Sequence, residues 1–220
     1  MVKAVIFDMD GVLIDSEPIH YKILNIFARD NGFFITEKEY DSYIGTTDIS
    51  MWTIIKEAHS LPQPVEELVE NHINECINYL RTNKEVRPIA GTVTLIKDLH
   101  KNNIKLAIAS SAPRRRIDAV MEAFGLQGYF QAVSSGNDVK KGKPEPDIFL
   151  HSAKALGILP EKCIVIEDSR NGVTAAKSAG MKCIAYSNPN SGNQDISAAD
   201  IVIKDFMELN YESIRKQIII

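Results

Sequence analysis

The sequence predicts an α/β fold: a Rossmann-like parallel sheet flanked by helices, with a small all-helical unit inserted near its start. Three observations predict it. Short apolar runs recur at residues 2–7, 105–109, 132–134, 163–166, 182–186 and 201–203. Helical spacing separates most of them, and strands that alternate with helices pair in parallel and are covered on both faces. Between residues 16 and 87 the alternation stops, and only helical signals remain.

The first run, Val2, Ala4, Val5, Ile6 and Phe7, stops at Asp8, with Asp10, Gly11 and Asp15 close behind. The insert follows. Ile19, Ile23, Ile26 and Phe27 make one apolar stripe, and Met51, Trp52 and Ile55 a second. Val65, Leu68, Val69, His72, Ile73, Cys76, Ile77 and Leu80 make a long third. Thr36 followed by Glu39 has the spacing of a capping box. Arg87-Pro88 reads as the return linker. The expected organisation is a core domain of residues 1–15 and 88–220 around a helical cap of residues 16–87. The core resumes with a helix through Leu95, Ile96 and Leu99, and later helices show their faces at Ile117, Val120, Met121 and Phe124, at Ile148, Phe149, Ser152 and Ala153, and at Val173, Ala176 and Ala179. The last segment, ending Ile218-Ile219-Ile220, reads as a helix on the core or, by its isoleucines, an association surface.

Composition narrows the function classes. The 220 residues suit one ordinary domain with an insert, and 45% hydrophobic with 25% charged residues is globular. A net charge of -4 argues against nucleic acid or an anionic membrane as the main partner. The basic runs Arg114–Arg116 and Lys140, Lys141, Lys143 read first as solvated surface. Cys76, Cys163 and Cys183 form no CxxC pair, so buried free thiols are expected rather than disulfides or zinc. The first apolar run is too short for a signal peptide, and nothing approaches the about 18 apolar residues of a membrane span. A cytoplasmic monomer is the expectation.

Four strand ends carry the chemistry, where open parallel sheets bind ligands. Asp8 and Asp10 repel each other unless a proton or cation relieves them, and hard oxygen ligands of this kind suit Mg²⁺. Ser110 and Ser111 close the second run just before a helix, where hydroxyls and N–H groups bind phosphate, although Ser is also a common N-cap. Lys143 sits in a Gly-Lys-Pro turn; it is either a surface lysine or a point-charge partner for phosphate. Glu167 and Asp168 end the fourth run and could complete a metal site or cap the following helix. Taken together, the set reads as phosphoryl transfer. Asp8 can attack phosphorus, and Asp10 can protonate the leaving oxygen and then activate water.

These residues resemble the motifs of the haloacid dehalogenase superfamily. "DMDGVLIDS" resembles its first motif, "IASS" its second, Lys143 in "KGKPEPDIF" its third and "EDS" its fourth, in the right order and across almost the whole chain. The insert resembles the cap of the subfamily containing β-phosphoglucomutase and many small-molecule phosphatases. The resemblance implies Asp8 as nucleophile forming an aspartyl-phosphate, and Asp10 as general acid/base with its carbonyl on Mg²⁺. It implies Ser110, Ser111 and Lys143 on the phosphoryl group, Asp168 on Mg²⁺, and Glu167 supporting the metal shell. Asp10 favours phosphoryl transfer over dehalogenation, and the segment "IGTTDISMW" lacks the lysine of the phosphonate-cleaving branch.

The resemblance also places the cap loop, Gly45, Thr46, Thr47 and Asp48, toward the site, with His20 and Trp52 nearby. Trp52 is either core or a substrate platform, and His20 either a packed residue or an acid/base. A mutase of this type grips a second phosphate with a cap arginine; the matching position here is Asp48, and the matching run after the second motif is Ala112-Pro113-Arg114. Arg114 or its neighbours could compensate. The expected activity is therefore a Mg²⁺-dependent phosphatase of a small phosphorylated metabolite, a sugar phosphate first, with β-phosphoglucomutase as the alternative and a catalytically silent phosphate-binding protein as a minor one.

Overall fold

A computed structural model of the chain describes residues 2–217. Six strands form one parallel sheet: β1 (Ala4–Phe7), β2 (Lys105–Ser110), β3 (Ala132–Ser135), β4 (Cys163–Glu167), β5 (Lys182–Tyr186) and β6 (Ile201–Ile203), in the order β3-β2-β1-β4-β5-β6. All six expected strands are present. β2 runs one residue past its apolar stretch because Ser110 pairs with Ser135 in register. β1 lies between β2 and β4, with Phe7 facing Ile108 on one side and Ile166 on the other. The chain thus leaves β1 for opposite sides in turn, which opens a crevice at the carboxyl ends of these strands.

Helices α1 (Glu17–Asp30), α2 (Glu37–Asp41), α3 (Asp48–His59) and α4 (Val65–Thr82) follow β1 without an intervening strand. They close a cluster of their own, in which Leu24, Ala28, Ile35, Trp52, Ile55 and Leu68 are buried. Ile73, Ile77 and Leu80, later on α4, instead join the cluster on one face of the sheet, so α4 ties the insert to the core. Thr36 caps α2 by accepting the Glu39 N–H. The reciprocal half of the expected box is not made, because the Glu39 carboxylate takes the Tyr43 hydroxyl at 2.9 Å.

α5 (Thr92–Lys101), α6 (Arg114–Ala123), α7 (Asp147–Leu156), α8 (Arg170–Ser178) and α9 (Tyr211–Gln217) cover the sheet. Strands buried on both faces explain the unbroken aliphatic runs of β1, β2 and β4. Ile214 of α9 is buried on the core. The terminal isoleucines, 218–220, lie outside the described residues. All three cysteines are buried and free. Among the described residues no helix is long and apolar enough to cross a membrane.

Candidate active site

The ends of β1, β2 and β4 and the insert enclose a cavity of about 500 Å³. Asp8, the first residue past β1, is fixed by its N–H on Ile166 O at 2.9 Å. Lys143 donates to Asp8 Oδ1 at 2.6 Å, to Glu167 Oε1 at 2.7 Å and to Ala109 O at 3.3 Å, so all three ammonium protons have acceptors. Its side chain is 7% exposed, which excludes the surface-lysine alternative. Burial opposes its charge, but Asp8 and Glu167 outweigh that and raise its pKa.

The carboxylates crowd one another. Burial pushes the Asp8 carboxyl up to about 7; Glu167 and Asp10 add to the rise, and Lys143 pulls against it. Asp168 is held well above the ordinary carboxylate range, first by burial and then by Glu167 and Asp8. Ligand oxygens of Asp8, Glu167 and Asp168 all lie within 4.8 Å of one another.

The donor set fits Mg²⁺. Asp8 and Asp168 each accept one hydrogen bond among the described residues, from Lys143 and from Ser191, which leaves each an oxygen for a hard cation. Gly11, at φ 75°, provides the cradle: a methyl group there would overlap the Asp168 carboxylate. Glu167, expected both in the metal group and as support for its shell, takes only the supporting place here. Its Oε2 accepts from the N–H groups of Asp168 and Ser169, each at 2.7 Å, and from Ser169 Oγ at 2.9 Å, while Oε1 takes Lys143. With both oxygens committed it supports the shell from behind, and Gly172 leaves room for it.

On the β2 side, buried Ser110 accepts the Ala112 N–H at 3.1 Å, which folds the turn into α6, and Ser111 lines the cavity beside it. The basic run that follows splits three ways. Arg114 pairs with Asp118 on its own helix and is exposed, so the expectation that it contacts substrate is corrected. Arg115 reaches across to Glu70 and Asn74 of α4. Arg116 turns inward, buried, and donates to Asp10 Oδ2. The other oxygen, Asp10 Oδ1, is sealed without a partner. The burial of Arg116 works against its charge, and Asp10 and Asp48 more than restore it.

The insert supplies Gly45, Thr46, Thr47, Asp48 and His20 to the cavity wall. Gly45 takes φ 83°, as the turn of this loop requires. Thr46 Oγ1 donates to Tyr43 O at 2.6 Å, and Thr47 caps α3 by accepting the Ser50 N–H at 3.1 Å. Trp52 does not line the cavity. It is 1% exposed in the insert's own cluster, edge-on to Phe27, because the α3 stripe points away from the loop; the platform alternative is thereby removed.

His20 Nδ1 meets His72 Nε2 at 2.9 Å and Cys76 Sγ at 3.5 Å. Ring centroids 5.1 Å apart with planes 19° from parallel make this a head-on hydrogen bond rather than a stack. One of the two facing nitrogens donates and the other accepts, so in this arrangement they serve each other. Burial, Arg116 and His72 lower the His20 pKa, and burial and Arg116 hold His72 at about 4, so both rings are neutral. His72 Nδ1, the other nitrogen of that ring, is buried without a partner among the described residues.

Several contributors were missed from sequence. Ser191 holds Asp168, and Asn188 Nδ2 donates to Gly11 O at 3.0 Å. Both lie in the Asn- and Ser-rich loop after β5, a strand end like the other four, which was the available signal. Glu17 also lines the cavity, but accepts the Tyr40 hydroxyl at 2.5 Å.

This geometry agrees with the comparisons to known proteins. Residues 5–186 match the family described as haloacid dehalogenase-like hydrolase. The chain belongs to that family. It is 34% identical over 184 residues to a phosphorylated carbohydrates phosphatase of Thermotoga maritima, covering 83% of this chain and 84% of the relative. A CbbY variant of Rhodobacter sphaeroides, solved with xylulose-(1,5)bisphosphate, superposes with a TM-score of 0.85 at 25% identity, over 95% of this chain and 96% of that one. A structure described as a putative β-phosphoglucomutase of Thermotoga maritima gives 0.79 at 30% identity, over 98% and 99%.

Proposed function

We propose that the chain is a Mg²⁺-dependent phosphatase that hydrolyses a small phosphorylated metabolite, a sugar monophosphate, through an aspartyl-phosphate at Asp8. The observation that carries the reading is the convergence of Asp8, Asp10, Ser110, Lys143 and Asp168 on one cavity under the insert. The free oxygens of Asp8 and Asp168, with the Asp10 carbonyl, would hold Mg²⁺, which supplies charge neutralisation to the phosphoryl oxygens when bound. In the first step Asp8 attacks phosphorus as the ester P–O bond breaks, and Asp10, released from Arg116, gives a proton through Oδ2 to the departing ester oxygen. In the second, Asp10 takes a proton from the water that attacks the phosphorylated Asp8. Lys143, Ser110 and Ser111 hold phosphoryl oxygens throughout, so positioning and electrostatics carry the rate. The core domain of residues 1–15 and 88–220 holds these groups, and the cap of residues 16–87 closes over them and excludes water.

A phosphatase named for phosphorylated carbohydrates among the relatives supports this substrate class. A β-phosphoglucomutase is the second reading, favoured by the solved structure so described and by the presence of a cation, Arg116, in the cavity. One experiment separates them: phosphate release across a panel of phosphate esters with Mg²⁺ and with EDTA, while glucose 6-phosphate formation from β-glucose 1-phosphate is followed under glucose 1,6-bisphosphate. Magnesium-dependent phosphate release is expected. Fast isomerisation with little free phosphate would make the chain a mutase.

A further inference from the structure

Most polar groups on the insert side of the cavity are already committed. Thr46 and Thr47 spend their hydroxyls shaping the loop and capping α3, and Glu17 holds Tyr40. Gln194 donates to Ser191 O at 3.1 Å and accepts the Arg170 N–H at 3.0 Å. Two side chains differ. Asp48, the first residue of α3, makes no hydrogen bond or ion pair among the described residues, and its carboxylate is not sealed. Arg116 uses one amino group on Asp10, and its other N–H donors have no protein partner among the described residues and are not sealed either. Both line the cavity, one from the insert and one from the core. They sense each other's charge but do not touch, since no ion pair joins them.

A carboxylate can only accept, and a guanidinium can only donate. A ligand that offers an O–H to the carboxylate and an oxygen lone pair to the guanidinium satisfies both, as a vicinal diol does. A second phosphate or a carboxylate offers Asp48 no proton and meets its charge. A purely apolar leaving group would leave both groups without partners. We infer that Asp48 and Arg116 form a clamp that selects phosphate monoesters whose leaving group carries neutral adjacent hydroxyls. This rests on the phosphatase reading above and names the residues that recognise the leaving group within it.

The test uses the full chain with Mg²⁺ and paired substrates that differ by the one hydroxyl that completes a vicinal diol: ribose 5-phosphate against 2-deoxyribose 5-phosphate, and glycerol 1-phosphate against 1,3-propanediol monophosphate. Fructose 1,6-bisphosphate against fructose 6-phosphate tests the second anion. The expected result is a preference of about tenfold or more in kcat/KM for the hydroxylated member of at least one pair, as a hydrogen bond to a charged group supplies, and a preference for the monophosphate. Asp48→Asn should reduce the diol preference mainly through KM. Arg116→Met should reduce it further, and Arg116→Lys should restore part of it. A double-mutant cycle should show coupling on the diol and none on its deoxy partner. Equal rates within every pair, a preference for the bisphosphate, or discrimination unchanged in Asp48→Asn would overturn the clamp while leaving a phosphatase. No phosphate release from any ester would remove the phosphatase reading and the clamp with it.

Discussion

The two sides of the cavity are built on opposite plans. On the core side, Lys143 satisfies three acceptors and Glu167 receives four donors, so these side chains have one available arrangement. On the insert side, Asp48 has no partner among the described residues, and its loop is held by local turns and a helix cap. The difference teaches a division of labour. Preorganised groups serve a transition state whose charge is always in the same place. Uncommitted groups serve a leaving group that must be admitted, recognised and released.

The largest effect should come from breaking the saturated side. Lys143→Met leaves Asp8 and Glu167 buried without their cation. We expect a loss of about 3–5 kcal/mol in stability and about a hundredfold or more in phosphate release, read by urea unfolding and by turnover. A folded, active Lys143→Met would erase the contrast. Next is Trp52→Ala, which opens the insert's own cluster and should cost about 3 kcal/mol. Turnover by the protein that remains folded should stay near the parent's, whereas a rise in KM alone would return Trp52 to the substrate.

The smallest effect asks whether saturation away from the cavity behaves alike. Asp200 accepts from Lys177, Lys182 and the Cys183 N–H at the β5 edge. Burial pushes its carboxyl up, but those donors outweigh it and hold it at about 2, below the ordinary 3.8. A depressed folded value means that its contribution is present above pH 3.8 and is lost as pH falls through about 2. This partly exposed site is screened, so Asp200→Asn should cost about 1 kcal/mol at neutral pH. The difference between parent and variant should close in melts taken between these two values, and a gap that persists at the acid end would contradict the assignment.

The sheet and the core side of the site were legible because they are local. Aliphatic runs mark doubly buried strands, and acids or hydroxyls one residue past a run mark its carboxyl end. The inward turn of Arg116 was legible only in part. Arg116 shares a helical face with the buried Ala119 and Val120, three and four residues on, whereas Arg114 stacks over the exposed Asp118. Reading that phase would have singled out Arg116 within the basic run. The loop of Ser191 and Asn188 was legible as a polar strand end, but its partners beyond β4 and β1 were not, since no periodicity announces them. The saturation of Glu167 depends on backbone N–H directions that no side-chain pattern encodes.

The most direct test of the central claim is phosphate release by Asp8→Asn, measured beside its thermal unfolding, on an ester that the parent hydrolyses. The substitution removes the nucleophile at nearly constant volume. We expect a folded protein with turnover reduced by about a thousandfold or more. A folded Asp8→Asn that keeps turnover within about tenfold of the parent would contradict it, because phosphorus would then be attacked by something other than Asp8.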